Sequence, residues 1–188
     1  MHPLSKTGLS VMDSKILPQI EKQIELSMLM GEGKQFELLF RGSKDGFGSK
    51  EYHQKVDGKG ASLTIIKSKP YGRIFGGYTN IQYALQGKAK KHSGKTFLFS
   101  VRDGSESKIV KLAHTQGLEV THRGNLFETA GPDLVVFKNG DRNQNNFSEL
   151  GHNYEIPPGF TKSDEELKTY LAGAKKFAIQ DIEVYQVK

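Results

Sequence analysis

A cluster of ionisable side chains near the beginning of the chain is the first place where chemistry is conceivable. Arg41, Asp45 and Asp57 lie close together in sequence, and each aspartate directly precedes a glycine. An aspartate before glycine is typical of a tight turn, in which its carboxylate accepts hydrogen bonds from backbone amides. We therefore favour a structural role, in which Arg41 pairs with one of the aspartates, over an acidic catalytic or partner-binding site. Glu183 is either exposed on the polar face of a strand or is the partner of Arg41.

Histidine is the other residue type here that can hold a metal or transfer a proton near neutral pH. The chain has six histidines and no cysteine, and no two histidines have the i, i+4 spacing of a helical zinc site. His114, His122 and His152 can share a site only if the fold brings them together. We expect no metal and no cofactor, and we expect His53 to hydrogen-bond a neighbouring turn at the edge of the core.

A carboxylate–histidine site is the alternative that would make the protein an enzyme or a small-ligand binder. Its members would be Asp45, His53, Asp57 and His152. A single apolar pocket that contains at least two of them, with perturbed pKa values, would favour this alternative. No phosphate loop supports it, because Ser93-Gly94-Lys95-Thr96 has Ala89 where that motif needs glycine and is followed by a strand-like run. No Gly-x-Ser-x-Gly nucleophile motif occurs either, so we expect neither catalysis nor a small-molecule ligand.

The composition of the 188-residue chain limits the class of protein. Its length predicts a single domain with a sizeable core, and its 21 glycines between short apolar runs predict a strand-rich fold. The absence of cysteine excludes disulfides and thiol chemistry. The net charge of +6 favours acidic partners, and the basic loop at 88–95, which contains Lys90 and Lys91, is a candidate contact. We expect no nucleic-acid binding, which needs a clustered basic face with stacking aromatic residues.

Hydropathy bears on the location of the protein. No apolar run reaches the ~18 residues that a membrane-spanning helix needs, and the first residues lack the apolar region of a secretory signal. We therefore expect a protein that does not span a membrane. It would work in the cytoplasm or at the cytosolic face of an organelle, with an organelle lumen as the open alternative.

The elements that must position these residues follow from apolar periodicity. A helix is predicted over 14–30, after a flexible tail at 1–13, so that one domain covers 14–188. A second helix is predicted over 49–56, and the Asn- and Gly-rich segment 139–160 is predicted to be loop. The buried stripe of the first helix would consist of Ile16, Leu17, Ile20, Ile24 and Met28. Predicted strands cover residues 35–41, 62–67, 72–76, 96–101, 108–113, 118–122, 133–138 and 177–187. Short strands at this spacing predict an α+β fold, an antiparallel two-sheet β-sandwich flanked by helices.

Several motifs follow one another in an order that resembles the TLDc domain family. They are Leu38-Leu39-Phe40-Arg41-Gly42-Ser43-Lys44-Asp45-Gly46-Phe47, Tyr52-His53-Gln54-Lys55-Val56-Asp57, Leu63-Thr64-Ile65-Ile66-Lys67, Phe75-Gly76-Gly77-Tyr78-Thr79 and Phe97-Leu98-Phe99-Ser100-Val101. An Asn-rich run before Leu150-Gly151-His152-Asn153-Tyr154-Glu155 and the later Ile182-Glu183-Val184-Tyr185 are also similar to the family. The resemblance covers about residues 14–188. It departs from the family at Val56, where a cysteine is expected, and at Ala130-Gly131-Pro132, where a glycine pair is expected.

This resemblance implies the same sandwich fold and a non-enzymatic protein-interaction module. The family is linked to resistance against oxidative stress and to binding of the cytosolic part of the vacuolar-type proton ATPase. Val56 in place of cysteine removes a thiol-based antioxidant role from this member. The alternative is a structural subunit of another large assembly, which large exposed apolar patches would favour. The candidate interaction or motif residues are Arg41, Asp45, Gly46, Phe47, His53, Asp57, Gly60, Gly76, Gly77, Tyr78, Lys90, Lys91, Gly151 and Glu183.

Overall fold

The computed structural model describes residues 11–82, 95–102, 107–115, 125–129 and 131–188. Within these residues, the helices are α1 (Ile20–Met28), α2 (Gly42–Asp45), α3 (Ser49–Val56) and a 3-10 helix at Glu165–Thr169. The strands are β1 (Phe36–Arg41), β2 (Ser62–Lys69), β3 (Ile74–Thr79), β4 (Phe97–Arg102), β5 (Lys108–Ala113), β6 (Phe127–Glu128), β7 (Val135–Val136), β8 (Asn146–Phe147) and β9 (Lys176–Val187).

The described strands lie on one antiparallel hydrogen-bonded path, in the order β5-β4-β3-β2-β9-β8-β7-β6, and β1 also pairs with β9. The long β9 explains this arrangement. It pairs with β2 over most of its length, with β8 at Phe177 and Lys176, and with β1 from Glu183 onwards. The predicted α+β class and antiparallel pairing are confirmed. The sequence predicts two packed sheets, whereas the described strands are joined into one path through β9.

Both faces of the central strands are buried, because the side chains of each strand alternate between two apolar clusters. On β2, Ile66 belongs to one cluster, with Phe75 and Leu98, while Leu63 and Ile65 belong to the other. Residues 126–172 contribute side chains to the first cluster, and the N-terminal segment 12–26 contributes to the second. Burying each such side chain stabilises the fold by roughly 1.5–3 kcal/mol.

The first helix is shorter than predicted and presents a different face. It begins at Ile20, and Pro18 disfavours helical backbone at Leu17, so a helix does not run unbroken from residue 14. Ile16 and Leu17 are buried as predicted, although they precede the helix. The rest of the predicted stripe is wrong: Ile20 and Ile24 are half-buried and Met28 is 65% exposed. The helix instead buries Gln23, Leu26 and Ser27.

Polar contacts of Gln23 account for this rotation of α1. Its Nε2 donates to the carbonyl of Leu17 at 2.8 Å, and its Oε1 accepts from the amide of Met12 at 2.7 Å. These bonds satisfy backbone groups of the buried segment before the helix, so they turn a polar side chain inward. Apolar periodicity carries no signal for such a contact.

The remaining predictions differ in their outcome. The helix at 49–56 and the strand at 108–113 have the predicted bounds, whereas the strand predicted at 133–138 is limited to Val135–Val136. The segment predicted as loop at 139–160 contains β8, and β6 was not predicted. The strand predicted at 118–122 lies outside the described residues. The domain boundary after residue 13 stays a prediction, with Met12 already buried at 3% exposed.

Candidate functional site

The turn after β1 contains the first charged motif residues and is held by several side-chain hydrogen bonds. The carboxylate of Asp45 accepts from the amide of Arg41 at 3.0 Å and from Lys55 Nζ at 2.7 Å. Ser43 donates its amide and its hydroxyl to the carboxylate of Asp181, at 2.8 and 2.6 Å. Asp45 therefore holds a turn amide, as its position before Gly46 predicts.

Arg41 pairs with Glu183 and with neither aspartate. Glu183 is fully buried, and four polar groups surround its carboxylate. Arg41 Nε and the amide of Lys15 bond Oε1 at 2.8 and 2.9 Å, while the Ser14 hydroxyl bonds Oε2 at 2.6 Å and the Tyr185 hydroxyl lies 3.1 Å from it. We call these residues the Glu183 node. Of the two positions predicted for Glu183, the structure has the one in which it is the partner of Arg41.

The electrostatics of the Glu183 node favour the charged form of Arg41 and the neutral form of Tyr185. Burial lowers the pKa of Arg41, but the hydrogen bond and the charge of Glu183 outweigh it, so that the net pKa is raised. Burial and the nearby Glu183 carboxylate raise the pKa of Tyr185 well above its ordinary value. The carboxylate is occupied by donors and sealed from water, so it fixes the segment around Ser14 to β9 and has no free lone pair directed at a substrate.

Helix α3 brings two members of the carboxylate–histidine alternative together. His53 is 5% exposed, and its Nδ1 lies 2.9 Å from Asp57 Oδ1. Both residues line a shallow pocket of about 460 Å³, and among the described residues Ser49, Lys50 and Gln54 line it too. This bond matches the predicted role of His53 at the core edge, and the shared pocket meets the geometric part of the condition stated for a ligand site.

The other two members of that alternative lie apart from this pocket. Asp45 is bonded to Lys55, and neither lines it. His152 is exposed and lines a different pocket, of about 590 Å³, with Tyr154 and Glu155. The four residues of that alternative therefore do not share one pocket.

Gly76, Gly77 and Tyr78 belong to the core of the central strands. A Cβ atom on Gly76 would lie 1.9 Å from the carbonyl oxygen of Thr64, so that only glycine fits beside β2. Tyr78 is 6% exposed and packs its ring 5.4 Å from that of Phe97, and burial raises the pKa of its hydroxyl. The role of this motif is therefore structural, in the packing of the central strands.

Gly46, Gly60 and Gly151 all have positive φ angles, of 86°, 85° and 95°. At Gly46 this conformation lets the chain leave α2 sharply towards Phe47, which a side chain there would oppose. The ring of Phe47 lies against Gly42, where a Cβ atom would come within 2.4 Å of it.

Asp133 was missed by the sequence analysis. It is fully buried, and its carboxylate accepts from the amides of Gly151, His152 and Asn153 at 3.1, 3.0 and 3.0 Å. It therefore holds the loop that begins at Gly151 against the start of β7. Its position directly after Gly131-Pro132 is a turn signal that would have suggested this role.

Asn146 was also missed, and it organises the Asn-rich loop between β7 and β8. It is fully buried; its Oδ1 accepts from the amide of Phe137 at 3.0 Å, and its Nδ2 donates to the carbonyls of Gly140 and Phe177 at 3.0 and 2.8 Å. The amide of Asn139 donates to the carbonyl of Phe47 at 2.8 Å. The loop is thereby joined to the turn that holds Asp45. The run of asparagines was the available signal, but it does not identify which one is buried.

Several predictions concern absent or undescribed features. Lys90 and Lys91 lie outside the described residues. Within the described ranges, no three histidine or carboxylate side chains are close enough to hold a metal ion. Among the helices described above, none is long and apolar enough to cross a membrane.

Comparison with known proteins adds one positive finding. The sequence profile described as "TLDc domain" matches residues 6–188, which is nearly the whole chain. A search of curated proteins gave no match to this sequence.

Proposed function

This chain belongs to the TLDc domain family, and from that premise we propose that it acts as a non-enzymatic protein-interaction module. The family resemblance further suggests a role in resistance to oxidative stress and binding to the cytosolic part of the vacuolar-type proton ATPase. Such a role would place the protein in the cytoplasm or at the cytosolic face of an organelle.

One observation carries the proposal: the charged motif residues are bonded inside the molecule. Arg41 is bonded to Glu183, Asp45 to Lys55, and Asp57 to His53. A catalytic acid, base or nucleophile needs a reactive atom directed at a substrate. Here the polar atoms of these motif residues support turns and the sheet, as expected of a scaffold that presents a binding surface.

Stress resistance would then arise through a partner. The chain has no cysteine, and the buried Val56 occupies the position of the family's cysteine. A thiol that reacts with an oxidant is therefore not available. Binding to a larger assembly, and a resulting change in its activity, needs no redox group in this chain.

Two alternatives have different support. A structural subunit would be favoured by large exposed apolar patches, but the large hydrophobic residues exposed in the described part are Met28 and Tyr71 alone. The pocket beside His53 and Asp57 favours a small-ligand site as the second candidate function.

We also propose that β6, β7 and β8 form the second layer of a sandwich. Phe127, Leu134 and Val136 pack in the same apolar cluster as Ile66 and Phe75 of the central strands. This packing supports a layer that lies across one face of the sheet while remaining joined to it through β9.

The test measures binding of the purified chain to the purified cytosolic sector of the vacuolar-type ATPase, at low and high salt. Saturable binding that weakens with salt is expected, because the chain is basic with a net charge of +6. Lys90→Glu with Lys91→Glu should weaken it without lowering the melting temperature. Absence of binding to the sector would overturn the ATPase part of the proposal.

A second arm separates binding from catalysis. Asp57→Asn and His53→Gln should leave partner binding and stress protection intact, apart from any loss of stability. If either variant abolished protection while folding and binding were unchanged, the enzyme or small-ligand alternative would replace the interaction module.

A further inference from the structure

We propose that a groove formed by the Asn-rich loop and the start of β9 binds an acidic peptide segment that contains an apolar side chain. This Asn-loop groove has a volume of about 530 Å³ and is lined by Phe137, Lys138, Asn143, Asn145, Phe147 and Lys176. The inference rests on the proposed interaction function and deepens it by naming a surface and the chemistry of its partner.

The floor of the groove is aromatic. Phe137 and Phe147 are half-buried, with ring centroids 6.2 Å apart and planes inclined by 42°. Aromatic side chains exposed at the base of a groove are typical anchors for an apolar side chain of a partner. The two rings therefore fit one leucine- or phenylalanine-sized side chain better than a polar one.

The rim of the groove is basic, and its two lysines are not ion-paired within the described residues. Lys138 and Lys176 are exposed, and neither forms an ion pair with a carboxylate of the described residues. The neighbouring Lys175, by contrast, lies 3.2 Å from Glu149. Two ammonium groups without a carboxylate beside an apolar floor complement a segment that carries aspartate or glutamate next to an apolar residue.

The polar wall adds a group for backbone recognition. The side chain of Asn145 is exposed and forms no hydrogen bond within the described part of the chain. A free carboxamide can donate to a peptide carbonyl and accept from a peptide amide. Asn143 cannot serve in the same way, since its carboxamide is used by the carbonyl of Asn139 and the amide of Asn145, at 2.7 and 2.9 Å.

The groove is formed before any ligand arrives. Asn146 ties the loop to Phe137, Gly140 and Phe177, and the amide of Ile179 donates to the Gly140 carbonyl at 2.9 Å. A Cβ atom on Gly140 would lie 2.5 Å from Asn146 Oδ1, so that the loop closes tightly on its own buried asparagine. A pre-formed site loses less conformational entropy on binding, which favours recognition of a short segment.

A peptide fits this groove better than a nucleic acid. A nucleic-acid strand needs a basic track along its backbone and exposed rings on which bases stack. Here the two lysines flank a single groove, and the rings of Phe137 and Phe147 form its half-buried floor. The site therefore suits a few charges around one apolar side chain.

The test uses the full chain and three fluorescent peptides of roughly eight residues. One has a central leucine or phenylalanine flanked by aspartate and glutamate, the second has asparagine and glutamine in place of the acids, and the third has serine in place of the apolar residue. An oligothymidylate of similar length reports general polyanion binding. Fluorescence anisotropy gives the affinities, and amide chemical shifts locate the site.

The acidic apolar peptide should bind most tightly and shift the amides around Phe147 and Lys176. Lys138→Glu with Lys176→Glu should weaken it about tenfold or more, because two attractive charges become repulsive. The matched control is Lys50→Glu with Lys162→Glu, which changes the net charge equally at exposed lysines outside the groove and should alter affinity less than about twofold. Asn145→Asp, which preserves the shape of the side chain, should weaken binding several-fold.

Three results would overturn the groove proposal. They are amide shifts confined to another surface, equal weakening of peptide binding by the groove and control pairs of substitutions, or binding of oligothymidylate as tight as that of the peptide. The ATPase measurement distinguishes this failure from failure of the proposed function. If the parent chain binds its protein partner but the acidic apolar peptide does not bind at the groove, the groove proposal is wrong and the interaction module stands. If peptide binding persists while no protein partner is bound, the interaction module fails and the groove stands.

Discussion

Glu183 and Lys176 lie on the same strand, β9, but their charges have opposite surroundings. Glu183 is fully buried, and donors from the N-terminal segment, β1 and its own strand surround its carboxylate. Lys176 is exposed at the start of the strand, beside the aromatic floor of the Asn-loop groove. A buried charge requires partners from its own chain, whereas an exposed one is free to meet partners from outside. The comparison separates the charges that maintain the fold from those available for recognition.

The largest expected effect is at the Glu183 node. Glu183→Gln leaves the Arg41 guanidinium buried without its counter-charge, and we expect the free energy of unfolding to fall by about 3–5 kcal/mol. Urea denaturation measures it. Glu37→Gln is the matched control, because Glu37 is exposed and pairs with Lys188 at 2.6 Å, so that solvent screens the pair and its loss should change stability far less. Equal losses for the two variants would contradict the distinction between buried and exposed charges.

Shortening single side chains of α1 tests which face of this helix packs on the sheet and so holds the N-terminal segment beside the Glu183 node. Leu26→Ala should cost about 2–5 kcal/mol, because Leu26 is fully buried against the sheet. Ile20→Ala should cost under about 1 kcal/mol, since that side chain is half-buried. Thermal or urea unfolding of both variants gives the order. The reverse order would restore the stripe that apolar periodicity predicts.

The His53–Asp57 pair lies between the two extremes, because it is partly buried and borders a pocket. His53→Gln or Asp57→Asn should lower the unfolding free energy by about 1 kcal/mol, the usual contribution of a hydrogen bond. The measurements are chemical denaturation and partner binding on the same samples. A variant with unchanged stability but no stress protection would move this pair to the functional side of the comparison.

Acid titration tests a weaker, more exposed pair. Burial raises the pKa of Asp45, but the hydrogen bonds from Lys55 and from the Arg41 amide outweigh it, so the net pKa lies below the ordinary 3.8. A lowered folded-state pKa contributes stability that is present above the unfolded value and is lost as pH falls through the folded one. Melting temperatures measured from about pH 5 to about pH 2 should therefore fall less steeply for Lys55→Met than for the parent chain. Parallel curves would indicate that the Lys55 contact contributes nothing.

The smallest effect is expected from metal removal, which should leave the melting temperature unchanged. We expect melting temperatures with and without a chelator to coincide, because no cluster of three histidine or carboxylate ligands is present in the described ranges. A chelator-induced decrease of many degrees would mean that a metal contributes to folding, and would add a third kind of charged site to the comparison.

Local pattern was sufficient for the elements whose residues decide their own conformation. Alternating apolar residues predicted the strand that contains Leu63 and Ile65, and the bounds of α3 and β5 were predicted correctly. The Asp45-Gly46 turn was predicted because aspartate and glycine favour the required hydrogen bond and backbone angles. In each case the signal lies within a few residues, so it can be recognised without knowledge of the partners.

The partners themselves depended on tertiary structure. The sequence left Glu183 as either exposed or paired. The alternation of residues along a strand predicts on which face of the sheet a side chain lies, but not what covers that face. In the structure the N-terminal segment with Ser14 and Lys15 covers Glu183 and makes it a buried, paired residue. The same holds for Gln23, whose contacts with Met12 and Leu17 set the inward face of α1.

By itself the sequence determined the α+β class, the antiparallel strands and the motif order that resembles the TLDc domain family. Only the tertiary structure brought Phe147 next to Phe137 and placed Lys176 at their rim, through the buried hydrogen bonds of Asn146. Periodicity specifies local backbone conformation, whereas a site built from separate segments depends on strand register and on buried polar contacts across the chain.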